Sequence, residues 1–500
     1  MLASISSACL LGIDGHAVRV EVHLANGLPG FTIVGLPDAA CREARDRVRA
    51  AVTNSGYAFP GRKITVNLAP SWLRKAGSGL DLAIAVGVLA ASEQVPGDQL
   101  DRLAFFGELG LDGSLRPVRG MVSLVDAAPC PTVVVPAASV AEATVYGRHQ
   151  VRSACRLVEV VEALQGEAPW PEPPDPSAEA TAVEAVPDLA DVRGQHTARQ
   201  ALEVAAAGGH HLLMVGPPGA GKTMLASRLP GLLPPLGVDE ALEVARIRSA
   251  LGEPLPAGEL AWRPPFRAPH HTASPVSLTG GGTGTLRPGE VSRASRGVLF
   301  LDELGEFAPS VLDALRQPLE EGVIRITRAN ATAVFPARFL LVGATNPCPC
   351  GEIGPDGCTC SDGERVRYRR RLSGPLLDRF DLRVDVDRPS ADELLRGSTG
   401  EPTSVVAARV REARARAASR GVVANAHIPR HRLEELCPVT PESEGVLEGA
   451  LIAGRLSARG LDRIRRVART LADLAGEDGP ASAVHVRMAL ALRAQPLVAA

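Results

Sequence analysis

The sequence predicts an α/β protein, with two α/β cores joined by a linker and a helical region at the C-terminal end. Three observations carry that prediction. The chain has 500 residues, more than one core usually holds, so two or three domains are expected. Residues 166–191 contain PWPEPPDP, and no Lys or Arg occurs between Arg156 and Arg193, the composition of an acidic, proline-stiffened linker. Downstream of it, short apolar strands alternate with helical stretches until about Pro389, and from there only helical patterns remain. The expected domains are 1–166, a linker over 167–190, a second α/β core over 191–388 and a helical lid over 389–500.

Taken in order, residues 17–24 alternate apolar and polar like a half-buried strand, and 39–55 have helical periodicity. Residues 63–68 read as a strand, 81–91 as a buried helix and 133–136 as a short buried strand. After the linker, the apolar strand 211–215 runs into a glycine-rich turn, and a helix follows over 223–229. Residues 297–301 and 339–342 are two further buried strands, as a parallel sheet requires. The lid is expected to contain helices over 405–419, 442–456, 462–474 and 482–492.

A hydrophobic share of 45% with net charge -2 describes a soluble globular chain. Near-neutrality gives no global sign of a nucleic-acid partner, so any such surface must be local. The longest apolar run, 82–91, is too short for a bilayer, and no basic segment precedes an apolar one at the start. No membrane partner is expected. Of nine cysteines, four crowd into 348–360 and the rest are scattered, which suits a reducing cytoplasm. Lysine occurs only at Lys63, Lys75 and Lys222, so a lysine inside a motif is hard to dismiss as background.

GPPGAGKT spans Gly216, Pro217, Pro218, Gly219, Ala220, Gly221, Lys222 and Thr223, after a strand and before a helix. That is the phosphate-binding loop pattern: glycines let backbone N–H groups wrap phosphate oxygens, helped by the helix N-terminus. Lys222 would reach the β- and γ-phosphates of ATP and Thr223 would ligate Mg²⁺. In GVLFLDEL (297–304), Asp302 and Glu303 leave the carboxyl end of an apolar strand, where such sheets place ligands. Asp302 would hold the Mg²⁺ shell and Glu303 would orient and deprotonate the attacking water. FLLVGATN (339–346) ends in Asn346, which could bond the γ-phosphate or the lytic water, or else form an Asn turn or cap. In SGPLLDRFDL (373–382), Arg379 is suited to project into a neighbour's site as an arginine finger, or else to pair with Asp378 or Asp381. Arg466, with Arg469 as the alternative, would reach the nucleotide from the lid.

The order GQxxA (194–198), GPPGAGKT, FRAPHHT (266–272), LTGGGTGTLRPGEVSRASRGVLFLDEL (278–304), RQPLEEG (316–322), ATNPCPCG (344–351) and GPLLDRFDL (374–382) resembles the ComM/YifB family of Mg-chelatase-like AAA+ proteins. The resemblance covers nearly the whole chain. It implies a P-loop AAA+ α/β core with a C-terminal helical lid, assembled as a hexameric ring. It implies also a DNA partner, since ComM members are helicases that drive branch migration in natural transformation. Val192, Gly194 and Gln195 would lie on the adenine side. Residues 265–293 resemble the loop inserted in the second helix of helicase-type modules. Residues 323–335 resemble the hairpin before the first sensor, where Arg325 and Arg328 would contact DNA phosphates or merely protect a solvated edge.

Cys348, Cys350, Cys358 and Cys360 could hold a structural Zn²⁺ in a tetrahedral four-thiolate site, or remain unliganded thiols or redox-labile pairs. The basic run RVRYRRR (365–371) follows; it could track a phosphate backbone with Tyr368 stacking on bases, or neutralise acidic neighbours. Residues 66–82 and 106–128 are similar to the Lon-protease-like fold, with Ser78 near the nucleophile position. The lysine expected after residues 116–120 is absent, so proteolysis is not expected. A DNA motor competes with a chelatase-type or protein-remodelling ATPase. Against the latter, there is no aromatic-apolar-Gly pore triplet between the P-loop and Asp302, and no Asp-x-Ser-x-Ser motif anywhere.

Overall fold

A computed structural model describes residues 1–174, 186–255, 260–282, 286–328, 331–352, 358–371, 374–396 and 399–493. The expected linker falls partly on 175–185, outside the described residues.

The alternation at Asp14–Ala25 buries Val18, Val20, Val22 and Leu24 on one face. This strand pairs antiparallel with Leu2–Leu11 on one side and Lys63–Ala69 on the other. The seven-stranded sheet runs Gly30–Val34, Lys63–Ala69, Asp14–Ala25, Leu2–Leu11, Leu103–Phe105, Thr132–Pro136, Gln150–Ala154. Helix Ala39–Asn54 starts where the Asp38 carboxylate accepts the Cys41 amide, an N-cap. Helix Asp81–Ala91 is buried nearly all round and rests on the sheet; a Cβ on Gly87 would stand 2.7 Å from a Val22 methyl. The strand Leu2–Leu11 has no alternation to betray it. Ile5 to Cys9 are buried on both faces, and the Ser7 hydroxyl is satisfied by the Phe105 carbonyl at 2.7 Å.

The second core is a five-stranded parallel sheet ordered Phe266–Arg267, Val298–Leu301, Leu340–Thr345, Leu212–Val215, Leu382–Asp385. Phe266–Arg267 corrects the reading of 265–293 as a loop: the insert begins as the edge strand of the sheet. It continues through helix Pro275–Thr279, the short ladder Gly280–Gly281 with Arg287–Pro288, and helix Glu290–Arg293. The helix after the glycine-rich turn is shorter than expected. It covers Lys222–Ala226 and restarts as Leu229–Leu232, with Pro230 in the restarted first turn. The expected hairpin is present as Val323–Arg328 against Ala331–Pro336.

One face of the sheet shares a core with helix His196–Gly208 and with lid helices Thr403–Ser419 and Ala458–Leu474. The lid helix expected to reach 456 stops at Ile452. On the other face the N-terminal domain contributes Ile13 to a core containing Leu213, Phe335 and Phe380. The turn carrying Gly12 lies on the hairpin: a Cβ there would be 2.9 Å from that of Ala333. Helix Val238–Leu251 completes the domain contact, with Arg246 on Asp126 at 2.6 Å and the Gly120 amide donating to the Ser249 carbonyl.

Lid and sheet are tied at Asp381, which meets Arg463 at 3.1 Å and His210 at 3.3 Å, while His210 Nε2 lies 2.8 Å from Thr470 Oγ1. Burial pushes the Asp381 carboxyl up, but the His210 hydrogen bond and the charges of His210, His211 and Arg463 outweigh it and hold the group at about 2. The neighbouring His211 accepts the Leu341 amide on Nδ1, and burial lowers its pKa to about 4.

Both shifts make the fold acid-labile. An unfolded histidine takes its proton near 6.5, so stability falls as pH drops from about 6.5 through 4, by on the order of 3 kcal/mol for His211. The Asp381 contribution, present above its unfolded pKa of 3.8, follows as pH falls through about 2. Burial holds the Asp81 carboxyl up at about 6, which works in the opposite sense over the same window, so the difference between wild type and His211→Asn is the readout. The melting temperature of wild type relative to that variant should be level above pH 7 and decline below 6.5, and a difference that does not change with pH would contradict the assignment.

Candidate active site

The sheet delivers its polar residues to one edge because every parallel strand ends there. Leu212–Val215 leads into the loop 216–223, Val298–Leu301 into Asp302 and Glu303, and Leu340–Thr345 into Asn346. The loop turns tightly through left-handed Gly219 and Gly221, at φ +77° and +88°. A Cβ on Gly216 would stand 2.0 Å from the Val386 carbonyl, so only glycine lets the loop start this close to the next strand.

Lys222 is 8% exposed, and its ammonium donates to the Gly216 carbonyl at 2.6 Å, the Pro217 carbonyl at 2.9 Å and Asn346 Oδ1 at 3.2 Å. Burial lowers its pKa, opposed by Asp302 and Glu303. The Thr223 hydroxyl donates to Asp302 Oδ2 at 2.6 Å, which puts the two expected Mg²⁺ ligands side by side at the loop's mouth. Two hard oxygens of this kind fit Mg²⁺, which takes few protein ligands beside substrate phosphates. Glu303 is held in the left-handed region at φ +50°, with its amide on Asp302 Oδ1. A strained non-glycine residue of this sort costs on the order of 1–3 kcal/mol and clusters at functional sites. Gln195 is likewise left-handed; its amide donates to the Ala220 carbonyl at 3.2 Å and to the Asp387 carbonyl. It braces the phosphate loop against the last strand.

The expected arginines lie elsewhere. Arg379 pairs with Glu320 of its own chain, on helix Arg316–Glu321. Burial, then Arg463, Arg459 and Arg316, lower its pKa, so several cations gather on this side of the subunit. Arg466 donates to the Ile428 carbonyl at 2.9 Å within the lid. Arg469 is buried on Asp473 at 3.0 Å and on the Gly479 and Glu477 carbonyls. Neither lid arginine is brought to the phosphate loop in the single chain.

Tyr368 requires a correction. It is 4% exposed, its hydroxyl lies 3.1 Å from Thr345 Oγ1, and its ring covers Gly305, so it is no free platform for a base. Arg325 and Arg328 are exposed on the hairpin, with Arg325 3.6 Å from Glu321. The four cysteine sulfurs of 348–360 all lie within 4.8 Å of one another. In the N-terminal domain the Ser78 hydroxyl bonds Glu108, and Lys75 is fully buried with its ammonium on the Pro70 carbonyl. No lysine serves Ser78 there.

Sequence reading missed His271. Its Nδ1 lies 3.0 Å from Glu303 Oε2, between the His270 ring at 4.1 Å and the edge of Phe307 at 6.5 Å. The signal was available: His270 and His271 follow the edge strand Phe266–Arg267, as Asp302 and Asn346 follow theirs.

Three family models match in sequence order: "Subunit ChlI of Mg-chelatase" over 20–139, "Magnesium chelatase, subunit ChlI" over 188–394, and "Magnesium chelatase, subunit ChlI C-terminal" over 400–493. The chain is 44% identical to the competence protein ComM of Haemophilus influenzae, over 95% of this chain and 94% of that protein. It is 43% identical to YifB of Escherichia coli, over 95% and 94%. Identity to the magnesium-chelatase 38 kDa subunit of Cereibacter sphaeroides is 32%, over only 22% of this chain and 26% of that one.

Lys222→Ala leaves the Gly216 and Pro217 carbonyls without their cation and removes the phosphate contact. ATP turnover should fall by at least about 10²–10³, the scale of losing one preorganised transition-state donor; retained turnover in a phosphate-release assay would show the site is elsewhere. His271→Ala frees the Glu303 carboxylate to accept a proton from water. Turnover without any effector should rise severalfold at unchanged nucleotide affinity, and a fall to the level of Glu303→Gln would contradict this role.

Proposed function

The chain belongs to the magnesium-chelatase-like AAA+ ATPase family of ComM and YifB, and from that premise we propose that it is an ATP-driven ring motor on DNA. Its work in this reading is helicase or branch-migration activity on branched or single-stranded DNA, serving recombination of incoming DNA in natural transformation. The observation that carries the reading is the hairpin Val323–Arg328/Ala331–Pro336. It exposes Arg325 and Arg328 and leads into strand Leu340–Thr345, which Asn346 follows. A phosphate contact on this hairpin is one strand away from a residue that touches Lys222. The competence name of the ComM relative points the same way.

In the proposed cycle the 216–223 backbone and Lys222 hold the ATP phosphates, and Gln195 keeps the loop closed against the last strand. Thr223 and Asp302 would hold Mg²⁺, which when bound neutralises charge on the phosphate oxygens. Glu303 takes the proton of the attacking water and Asn346 orients it. Arg379 leaves Glu320 to reach the nucleotide of the neighbouring subunit, where an arginine finger adds about 10³–10⁵ in rate. A head-to-tail contact of that kind closes into a ring, a hexamer in this family reading. Arg466 would sense the nucleotide from the lid after lid movement. The four thiols would hold a structural Zn²⁺. All nine cysteines are free, in keeping with a cytoplasmic setting. No described helix is long and apolar enough to cross a membrane.

Forked and single-stranded DNA should raise the ATPase rate, with binding that weakens steeply in salt. Arg325→Ala and Arg328→Ala should each weaken DNA binding across all sequences and reduce the salt slope by about 1. An ATPase indifferent to every DNA tested would remove this reading and leave the chelatase-type or remodelling alternative. Mixing Arg379→Ala subunits with Glu303→Gln subunits should restore part of the turnover that each lacks alone, because the intact Glu303 of one then meets the intact Arg379 of the other. Mixed assemblies with no recovery would mean that Arg379 does not act across an interface.

A further inference from the structure

The four-cysteine knuckle is fastened to the ATP site at three points that nucleotide chemistry alone does not call for. Its sulfurs have the packing of a metal cage: Cys348–Cys350 3.2 Å, Cys348–Cys358 3.5 Å, Cys350–Cys358 3.6 Å, and Cys360 Sγ accepting the Cys350 amide at 3.3 Å. Four thiolates at Zn–S about 2.3 Å would stand about 3.8 Å apart, whereas a disulfide needs about 2.05 Å. All four cysteines are free.

At its entry, Cys348 lies two residues after Asn346, whose side chain receives the Lys222 ammonium. In its middle, Gly351 lies on the phosphate loop: a Cβ there would be 2.6 Å from Pro218 Cδ. Beside it, Arg388 bridges the two parts, with Nε donating to the Pro218 carbonyl at 3.2 Å and Nη2 to Glu352 at 2.9 Å. At its exit, helix Asp362–Arg371 follows Cys360 and carries Tyr368. Tyr368 bonds Thr345, the neighbour of Asn346, and lies on Gly305, two residues past Glu303. The knuckle therefore grips both the residue that orients water and the turn that carries the water-activating carboxylate.

We propose that a soft divalent cation of tetrahedral preference, Zn²⁺ in character, held by Cys348, Cys350, Cys358 and Cys360, is a clamp that permits ATP hydrolysis without contacting ATP. The inference rests on the four-thiol metal reading above and adds its consequence. Without the cation the four thiols lose their common anchor, and Asn346 and Tyr368 lose their fixed spacing. Nucleotide binding survives, because the knuckle meets the phosphate loop at Pro218, while Lys222 and Thr223 are carried by the helix that follows the loop. Arg388 and Tyr368 are positioning residues in this scheme.

The test uses the full-length protein. Elemental analysis fixes the metal content, a zinc-selective chelator removes it, Mg²⁺ is held in excess, and nucleotide affinity and turnover are read separately. The expected result is one zinc per chain, and a turnover loss of up to about 100-fold on depletion, the scale of a misplaced reacting group. Nucleotide affinity should stay within severalfold, and added Zn²⁺ should restore turnover. A zinc-depleted protein that hydrolyses at the original rate overturns the clamp while leaving the metal site standing. A protein that holds no metal, before or after Zn²⁺ is offered, overturns the metal reading itself. Should depletion unfold the chain, Arg388→Ala decides. With zinc still bound, it should lower kcat at nearly unchanged KM, with partial rescue by Arg388→Lys; an unchanged kcat overturns the proposal.

Discussion

A buried ammonium has to be surrounded by oxygen, and that requirement at Lys222 organises the ATPase core. Its acceptors come from the phosphate loop and from Asn346 at the end of an adjacent strand. Two of the five parallel strands must therefore be in register for the lysine to be buried at all. The pairing of Leu212–Val215 with Leu340–Thr345 supplies that register, residue for residue. Burying such a charge without partners would cost several kcal/mol, so the cradle and the sheet stabilise each other. Phosphates of ATP would take over some of the contacts that the two carbonyls and the amide now provide.

The remaining site residues are fixed by neighbours of the same two strands. Asp302 is held by Thr223, Glu303 by His271, and the phosphate loop by Gln195 and Arg388. Each support comes from a different stretch of chain: the helix after the phosphate loop, the segment after the edge strand, the start of the core and the segment after the last strand. In the proposed cycle, movement in any of them alters hydrolysis, and ATP turnover would be coupled to a distant contact in that way. The hairpin that exposes Arg325 and Arg328 also packs under the N-terminal domain through Ala333 and Gly12. That domain thus bears directly on the element proposed to meet DNA, although its own Ser78 has no catalytic lysine.

What was legible in the sequence was what local chemistry enforces. Glycine spacing announced the phosphate loop, apolar runs ending in Asp302 and Asn346 announced their strands, and alternation announced Asp14–Ala25. Leu2–Leu11 escaped because a strand buried on both faces with serines in it shows neither alternation nor an apolar run. Phe266–Arg267 escaped because a two-residue edge strand has no period to read. Tyr368 looked like a stacking residue because it stands among arginines; its burial depends on Gly305, far away in sequence. His271 and Arg388 carry ordinary residue types, and only the folded sheet edge gives them roles. The arginines were the hardest to place, since Arg379 acts, in this account, on a subunit that a single chain does not include.

The central claim is that hydrolysis at this sheet edge is spent on moving DNA. Its most direct measurement is real-time fluorescence of a labelled four-way junction or fork mixed with the protein and ATP. The account predicts strand exchange or separation that requires hydrolysable ATP and disappears with Glu303→Gln, which should still bind nucleotide. An active ATPase that leaves every junction and fork intact would contradict it.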